Sequence, residues 1–169
     1  MSERDELRTT IDAAQTRFLA LIDDFPELVL ETEPAVGSWS VRDVTGHVAD
    51  WQAETLAAAK HILGEKKPAW HPIRSGSTYN MTQVAMRGTD SWSEVRHDFL
   101  DVREQLLAFI DGLSDEQLKA VGPYPWGEIG NVQRLLYDMV KHLNEHAAQL
   151  ENWRLQRIGV RVDRGIERN

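Results

Sequence analysis

The chain has 169 residues, of which 41% are hydrophobic and 27% charged, as is typical of one globular domain with its own core. Its formal net charge of −8 and its pI near 5.2 argue against binding to nucleic acid or to an anionic membrane. Because the sequence has no cysteine, disulfides and thiolate ligands are excluded, and any metal must be held by His, Asp or Glu.

The first residues, MSERDELRTT, are polar and acidic, unlike the apolar core of a secretory signal. No apolar run approaches the roughly 18 residues that a membrane span requires. We therefore expect a cytoplasmic protein whose partners include neither a membrane nor a nucleic acid.

Apolar residues recur with helical spacing in four stretches. The first helix is expected from Glu3 to Asp24, with Ser2 as its cap and Pro26 as its stop. After the connector PELVLETEPAVG, the second helix is expected to begin at Ser40 and to end at Gly64.

Residues 65–90 form a long connection that is rich in Pro, Gly and Ser, with a short helix expected in TYNMTQVAMR. Connections of this length are often functional. The third helix is expected to start at Ser91, where Glu94 completes a capping box. A short capped turn in SDEQL and a loop in VGPYPWGEIG follow it, and the fourth helix is expected from Asn131 to Ile158.

No stretch has a convincing strand pattern. Four amphipathic helices in this order predict an all-α four-helix bundle with a long connection between helices 2 and 3. We expect one domain over residues 1–158 and a polar C-terminal tail over residues 159–169.

The fourth helix carries the segment KHLNEHAAQLENWR, in which His142 and His146 are four residues apart. The two side chains lie about 40° apart around the helix, on its apolar stripe, and are expected to face the interior. A buried imidazole needs a partner for each ring nitrogen. A metal ion would supply one, although backbone carbonyls or acids would also serve.

The same segment matches H-x-x-E-H, the signature of inverted zinc proteases, in which both histidines bind zinc and the glutamate is the base. Those enzymes are much larger and take a third ligand from a glutamate far downstream, whereas only 23 residues follow His146 here. Glu145 also lies about 100° from His146 around the helix. We therefore favour a flanking charge at Glu145 over a protease.

His47 lies on the shoulder of the buried stripe of helix two. It can meet the two histidines of helix four if the two helices are neighbours, and three His ligands leave an open position, as in catalytic zinc sites. The other histidines fit less well. His97 is opposite the buried stripe of its helix, His61 is on a helix flank, and His71 is in a loop.

Three segments in this order resemble the DinB-like superfamily of four-helix bundle proteins. Trp39-Ser40 opens the second helix, HVADW follows at 47–51, and HLNEHAAQL occupies 142–150 of the fourth helix. The similarity covers the order of the helices and nearly the whole chain.

The resemblance implies a divalent-metal site made by His47, His142 and His146, with zinc, nickel or iron as the ion, in a homodimer. Characterised members of the family are transferases or isomerases that depend on bacillithiol, mycothiol or glutathione. A related branch contains hydrolases that detoxify electrophiles, and many members have no known activity. A small-molecule substrate is implied in each of the enzymes.

Three functions remain open at this point, and the favoured one is a metal-dependent S-transferase that acts on small electrophiles. Because the chain has no cysteine, such a transferase would need a low-molecular-weight thiol as a cosubstrate. A hydrolase would instead use water activated by the metal. A non-catalytic dimeric bundle that binds a metal or another ligand is the third.

The long connection and the PYPWGEIG loop are expected to line the substrate pocket. The candidate contacts there are Tyr79, Asn80, Arg87 and Trp126. An arginine can hold a carboxylate through two parallel hydrogen bonds, which favours a substrate that carries one.

Imidazoles that bind a metal need acceptors for their second ring nitrogen. Asp50 is close to His47 in the sequence, and Asp138 lies one turn before His142. These two carboxylates are the candidates for orienting the histidines.

Overall fold

A computed structural model describes the backbone of residues 1–166 and the side chains of residues 1–159. The helices found there are α1 (Glu3–Ala20), α2 (Glu27–Thr32), α3 (Val41–Ile62), α4 (Gly76–Met86), α5 (Trp92–Asp111), α6 (Asp115–Leu118) and α7 (Val132–Ile166). The long helices α1, α3, α5 and α7 pack on one another around the core. The predicted all-α four-helix bundle is confirmed.

Helices α1 and α5 run in opposite directions. Arg8, early in α1, pairs with Asp111 at the end of α5, and the two atoms are 2.6 Å apart. Arg103, which precedes Asp111 in α5, pairs with Asp12, which follows Arg8 in α1, and this distance is also 2.6 Å. The order of these pairs along the two helices requires an antiparallel arrangement.

Helices α1 and α7 run in the same direction. Arg17 of α1 pairs with Glu151 at 2.9 Å, and Asp24, just after α1, accepts from Arg154 at 2.7 Å. Helices α3 and α5 begin at a common end of the bundle. There Arg42, at the start of α3, donates to the backbone carbonyl oxygen of Asp90, just before α5, at 3.1 Å. The long connection therefore returns the chain to the end at which α3 began.

Capping boxes start the helices where the sequence predicts them. The hydroxyl of Ser2 accepts from the backbone N–H three residues later, and the side chain of that residue accepts from the N–H of Ser2. Ser40 and Ser91 make the same pair of bonds at α3 and α5. These reciprocal bonds satisfy N–H groups that a helix start leaves without partners.

The structure contains short strands that no pattern in the sequence predicts, and the fold class is unaffected. Two short antiparallel ladders form, one from β1 (Pro34–Val36) and β2 (Trp39–Ser40), the other from β3 (Val121–Pro123) and β4 (Ile129–Asn131). Strands of two or three residues are too short to show the alternation that identifies a strand in a sequence. The predicted connector also contains the short helix α2.

Two helix ends differ from prediction. α1 ends at Ala20 and continues as turns, and α7 extends past Ile158 to Ile166 because Gly159 does not interrupt it. An isolated glycine is tolerated inside a helix at a cost in stability. The division into a domain of residues 1–158 and a tail of residues 159–169 stays a prediction.

The core contains aromatic and aliphatic side chains from all four long helices. Phe18 of α1 and Phe99 of α5 stack with their ring centroids 5.3 Å apart, and both rings are fully buried. Over the described part of the chain, no helix has the length and apolar character needed to cross a bilayer.

Candidate metal centre

Three imidazoles from two helices meet at one point. His47 extends from α3, and His142 and His146 extend from successive turns of α7. Their Nε2 atoms lie 3.1 Å apart in all three pairs. The packing of α3 on α7 therefore brings together the histidines that the sequence places about a hundred residues apart.

The cluster lies at the boundary between the core and a cleft. His47 is 5% exposed, whereas His142 and His146 are half-buried. The fully buried face of α7 is formed by neighbouring positions such as Leu143 and Ala147. The two histidines of α7 therefore lie at the edge of the buried face, with access to solvent, and not in the interior as the helical stripe predicts.

The three Nε2 atoms cannot all form hydrogen bonds with one another. Each is either a donor or an acceptor, so among three mutually adjacent atoms at least two are of the same kind and repel each other. A cation that receives a lone pair from each Nε2 removes this conflict. The cluster can hold a metal ion, and its donor set fits one.

The spacing of the nitrogens also fits a single ion. Two imidazole nitrogens bound at about 2.05 Å to one ion lie about 2.9 Å apart at a right angle and about 3.3 Å apart at a tetrahedral angle. The distance of 3.1 Å in this cluster falls between these values. Three protein ligands leave further positions on the ion open towards the cleft.

Gln149 orients one of the ligands. Nδ1 of His146 donates to Oε1 of Gln149 at 2.8 Å, so Nε2 of that imidazole keeps the lone pair that a metal needs. Gln149 lies in the HLNEHAAQL segment that carries the family resemblance, and the sequence alone predicts no role for it. The signal was its position three residues after His146, which places both side chains on one face of α7.

All three imidazoles are held in the neutral form that metal binding requires. Burial is the main cause that lowers the pKa of His47 to about 3, and the electrostatic effect of the nearby His142 and His146 lowers it further. Burial and His146 lower the pKa of His142 to about 4. Burial also lowers the pKa of His146, although the bond to Gln149 and the charge of Glu145 act in the opposite direction.

The cluster opens into a cleft of about 660 Å³, a size typical of small-molecule sites. Three tryptophans form apolar parts of its wall: Trp39, Trp51 and Trp126. The charged side chains of its wall are Glu128, Arg134, Asp138, Lys141 and Glu145. The cleft thus offers flat apolar surfaces and both signs of charge beside the histidines.

Two of the four candidate substrate contacts line this cleft, namely Asn80 and Trp126. Oδ1 of Asn80 accepts from the indole N–H of Trp51 at 2.8 Å, which fixes the orientation of the amide. The indole of Trp126 is 39% exposed and donates to Glu128 at 2.5 Å. Their role as substrate contacts stays a prediction.

The structure places the other two candidates away from the cleft wall. Tyr79 packs against Trp51 and donates to Glu54 at 3.4 Å. Arg87 is held between Asp50 and Asp98, with the shortest distance 2.7 Å to each. Because the guanidinium is already bonded to two carboxylates, a role in gripping a substrate carboxylate is disfavoured.

The proposed orienting carboxylates have other partners. Asp50 binds Arg87, and the pair borders a cavity between α3 and α5 rather than the histidine cleft. Asp138 lines the cleft, where it faces Arg134 at 3.5 Å. Within residues 1–159, the side chain that bonds to a histidine of the cluster from outside it is the uncharged Gln149.

The remaining histidines lie outside the cluster. His97 and His71 are exposed, and the ring of His61 lies 5.5 Å from the ring of Trp70. Glu145 is an exposed part of the cleft wall beside His146. The selection of His47, His142 and His146 as the ligands of an ion stays a prediction.

Solved structures of similar fold include YfiT from Bacillus subtilis, described as a probable metal-dependent hydrolase with an unusual four-helix bundle topology. It is 21% identical, with 94% of this chain and 90% of that chain covered and a TM-score of 0.73. The sibling lethal factor precursor DfsB is 17% identical, with 93% and 98% covered and a TM-score of 0.75.

The mycothiol-dependent maleylpyruvate isomerase is 15% identical, with 87% of this chain and 60% of that chain covered and a TM-score of 0.71. At such identities the likeness shows the fold alone. No curated protein matches the sequence at a significant level.

The sequence itself matches the DinB superfamily over residues 10–150, which is most of the chain and includes all three clustered histidines. Two features of the structure agree with this match. They are the bundle with its long connection between α3 and α5, and the three histidines on α3 and α7. The chain belongs to the DinB superfamily.

Proposed function

We propose that the chain is a metal-dependent S-transferase that joins a low-molecular-weight thiol to a small electrophile. The observation that carries this proposal is the convergence of three imidazole Nε2 atoms at the base of an open cleft, in a chain without cysteine. The reacting sulfur must then come from a cosubstrate. In the net reaction the thiol loses its proton, a carbon–sulfur bond forms, and the leaving group departs with that proton.

His47, His142 and His146 would hold the ion through Nε2, with zinc, nickel and iron all suited to imidazole ligands. A divalent ion held there would supply a Lewis acid that lowers the pKa of a thiol or water in the cleft. Gln149 keeps the ring of His146 in the required tautomer.

The cleft wall supports binding of a small organic thiol. The rings of Trp39 and Trp51 make the surroundings of the cluster apolar. The ring centroids of Trp39 and His47 are 5.1 Å apart, and those of Trp51 and His142 are 6.4 Å apart. Lys141 supplies a positive charge for a carboxylate of the cosubstrate.

Hydrolysis is the second candidate function. Glu145 lies beside His146 in the cleft wall, where a carboxylate would accept a proton from an attacking water. The other two acids of the wall, Glu128 and Asp138, are paired with Arg134. YfiT, which shares the fold, is itself described as a probable metal-dependent hydrolase. A homodimer and a cytoplasmic location belong to the same proposal.

An assay of the protein with a panel of thiols and an electrophilic aromatic chloride distinguishes these functions. The transferase predicts that chloride release and thioether formation require a thiol and a metal together, and that His142→Ala abolishes both. His97→Ala, at an exposed position, should retain them. Metal-dependent turnover without thiol would instead establish hydrolysis. If the metal-loaded protein shows no turnover either with or without a thiol, the non-catalytic bundle is favoured and the transferase is contradicted.

A further inference from the structure

A second cavity of about 500 Å³ lies on the other side of α3, between α3 and α5, and we call it the lateral cavity. Its floor is formed by Ala49, Ala53 and Ala57, which occupy successive turns of α3. No described residue lines both this cavity and the histidine cleft. The lateral cavity is therefore a separate space, and larger side chains at the three alanines would fill it.

The roof of the lateral cavity is an aromatic ring fixed in place. Trp70, in the long connection, donates its indole N–H to Glu54 of α3 at 2.9 Å. The ring of His61 lies 5.5 Å from the ring of Trp70, and both rings border the cavity. The rings of Trp70 and His61 and the methyl groups of the alanine floor thus border one space, which suits a flat apolar ligand.

The acidic groups that border the cavity on the α5 side already have partners. Asp98 accepts from Arg87 at 2.7 Å, and Arg87 is also bonded to Asp50. Asp101 accepts from the amide of Gln105 at 2.7 Å. These carboxylates are consequently poor candidates for holding a cationic ligand.

The positive groups at the opposite end have no such partners. Lys60 and Lys67 both border the cavity, and within residues 1–159 no carboxylate oxygen lies within 4.0 Å of either ammonium group. The other acids of the lining are Asp50 and Asp98, which bind Arg87, and Asp101, which binds Gln105. Glu65 is therefore the acid left beside the two lysines, and these three side chains together carry a net charge of +1. Donors without acceptors beside an apolar floor and an aromatic roof favour an organic anion.

We propose that the lateral cavity binds a small organic anion with a flat apolar body. The body lies between Trp70 and the alanine floor, and its carboxylate accepts from Lys60 and Lys67. This site is independent of the metal centre, and it gives the protein a second class of small-molecule ligand whatever the cleft binds.

The test is a titration of the protein with three probes, in which calorimetry and amide NMR detect binding. The probes are naphthalene-2-carboxylate, the matched carboxamide and 2-naphthylmethylammonium. We expect the carboxylate to bind about tenfold more tightly than the uncharged amide. Lys60→Gln combined with Lys67→Gln should remove that difference. Lys119→Gln, at an exposed lysine elsewhere, should preserve it.

A second pair of variants tests the position of the ligand. Ala53→Leu should weaken binding of the carboxylate at least about fivefold by filling the floor, whereas Ala148→Leu, at an exposed position of α7, should not. Circular dichroism checks that each variant is folded.

Three results would overturn the proposal: no binding of any probe at millimolar concentration, tighter binding of the ammonium probe, or binding lost in His142→Ala but not in Ala53→Leu. The last result would place the ligand in the histidine cleft.

Discussion

Nδ1 of His146 donates to Oε1 of Gln149 at a distance of 2.8 Å. Because a neutral imidazole carries one N–H, this bond commits Nε2 to the acceptor state. Nε2 is the atom that lies 3.1 Å from the Nε2 atoms of His47 and His142. An amide on the surface of α7 thus sets the chemistry of a nitrogen inside the cluster.

Replacing Gln149 should weaken metal binding without unfolding the bundle. We expect Gln149→Ala to lower the affinity for a divalent ion about tenfold or more, because removing a group that orients a ligand has effects of this size. Competition with a chromophoric chelator measures the affinity. Gln156→Ala, at another exposed glutamine of α7, should retain the wild-type value, and equal affinities in the two variants would refute the orienting role.

The stability of the metal-free protein should fall as the pH falls below neutral. The folded state holds the pKa of His47 near 3 and that of His142 near 4, whereas both are ordinarily 6.5. The unfolded chain therefore binds more protons between pH 6.5 and pH 4. The contribution of these groups is fully present above about pH 6.5 and is lost as the pH falls through this window.

Urea denaturation at several pH values, with a chelator present, measures this dependence. Each imidazole contributes at most about 1.4 kcal/mol per pH unit to the slope of the unfolding free energy. His142→Leu should flatten the slope, and His97→Gln should leave it unchanged. A slope that is the same in wild type and in His142→Leu would show that the cluster is not buried in neutral form.

The bond between Asp50 and Arg87 should stabilise the attachment of α4. The two side chains are 11% and 18% exposed and 2.7 Å apart, and Arg87 immediately follows α4, which has no buried residue. A double-mutant cycle of Asp50→Asn and Arg87→Gln should give a coupling free energy of about 1–2 kcal/mol.

The more exposed pair of Arg134 and Asp138, 3.5 Å apart, provides the comparison for this cycle. Its coupling should be below about 0.5 kcal/mol, because solvent screens exposed charges. Equal couplings for the two pairs would contradict the assignment of Arg87 as the anchor of α4.

The sequence was sufficient for the features that depend on local periodicity. The starts of α1, α3 and α5 follow from Ser2, Ser40 and Ser91, because a capping box involves residues only three apart. The pairing of His142 with His146 follows from the helical repeat in the same way.

Features that depend on contacts distant in the sequence were harder to predict. The partners of Arg87 could not be predicted from the sequence, because Asp50 and Asp98 come close to Arg87 only in the folded long connection. The position of His142 at the edge of the core likewise depends on where α3 packs on α7. The two ladders escaped prediction because strands of two or three residues carry no period.

The metal content of the intact protein tests the central claim most directly. Protein purified without chelator and loaded with zinc, nickel or iron should retain about one ion per chain after dialysis, as three imidazoles on one ion imply. His142→Ala should retain almost none, and His97→Ala should match wild type. Equal metal content in wild type and in His142→Ala would contradict the assignment of His47, His142 and His146 as a metal centre.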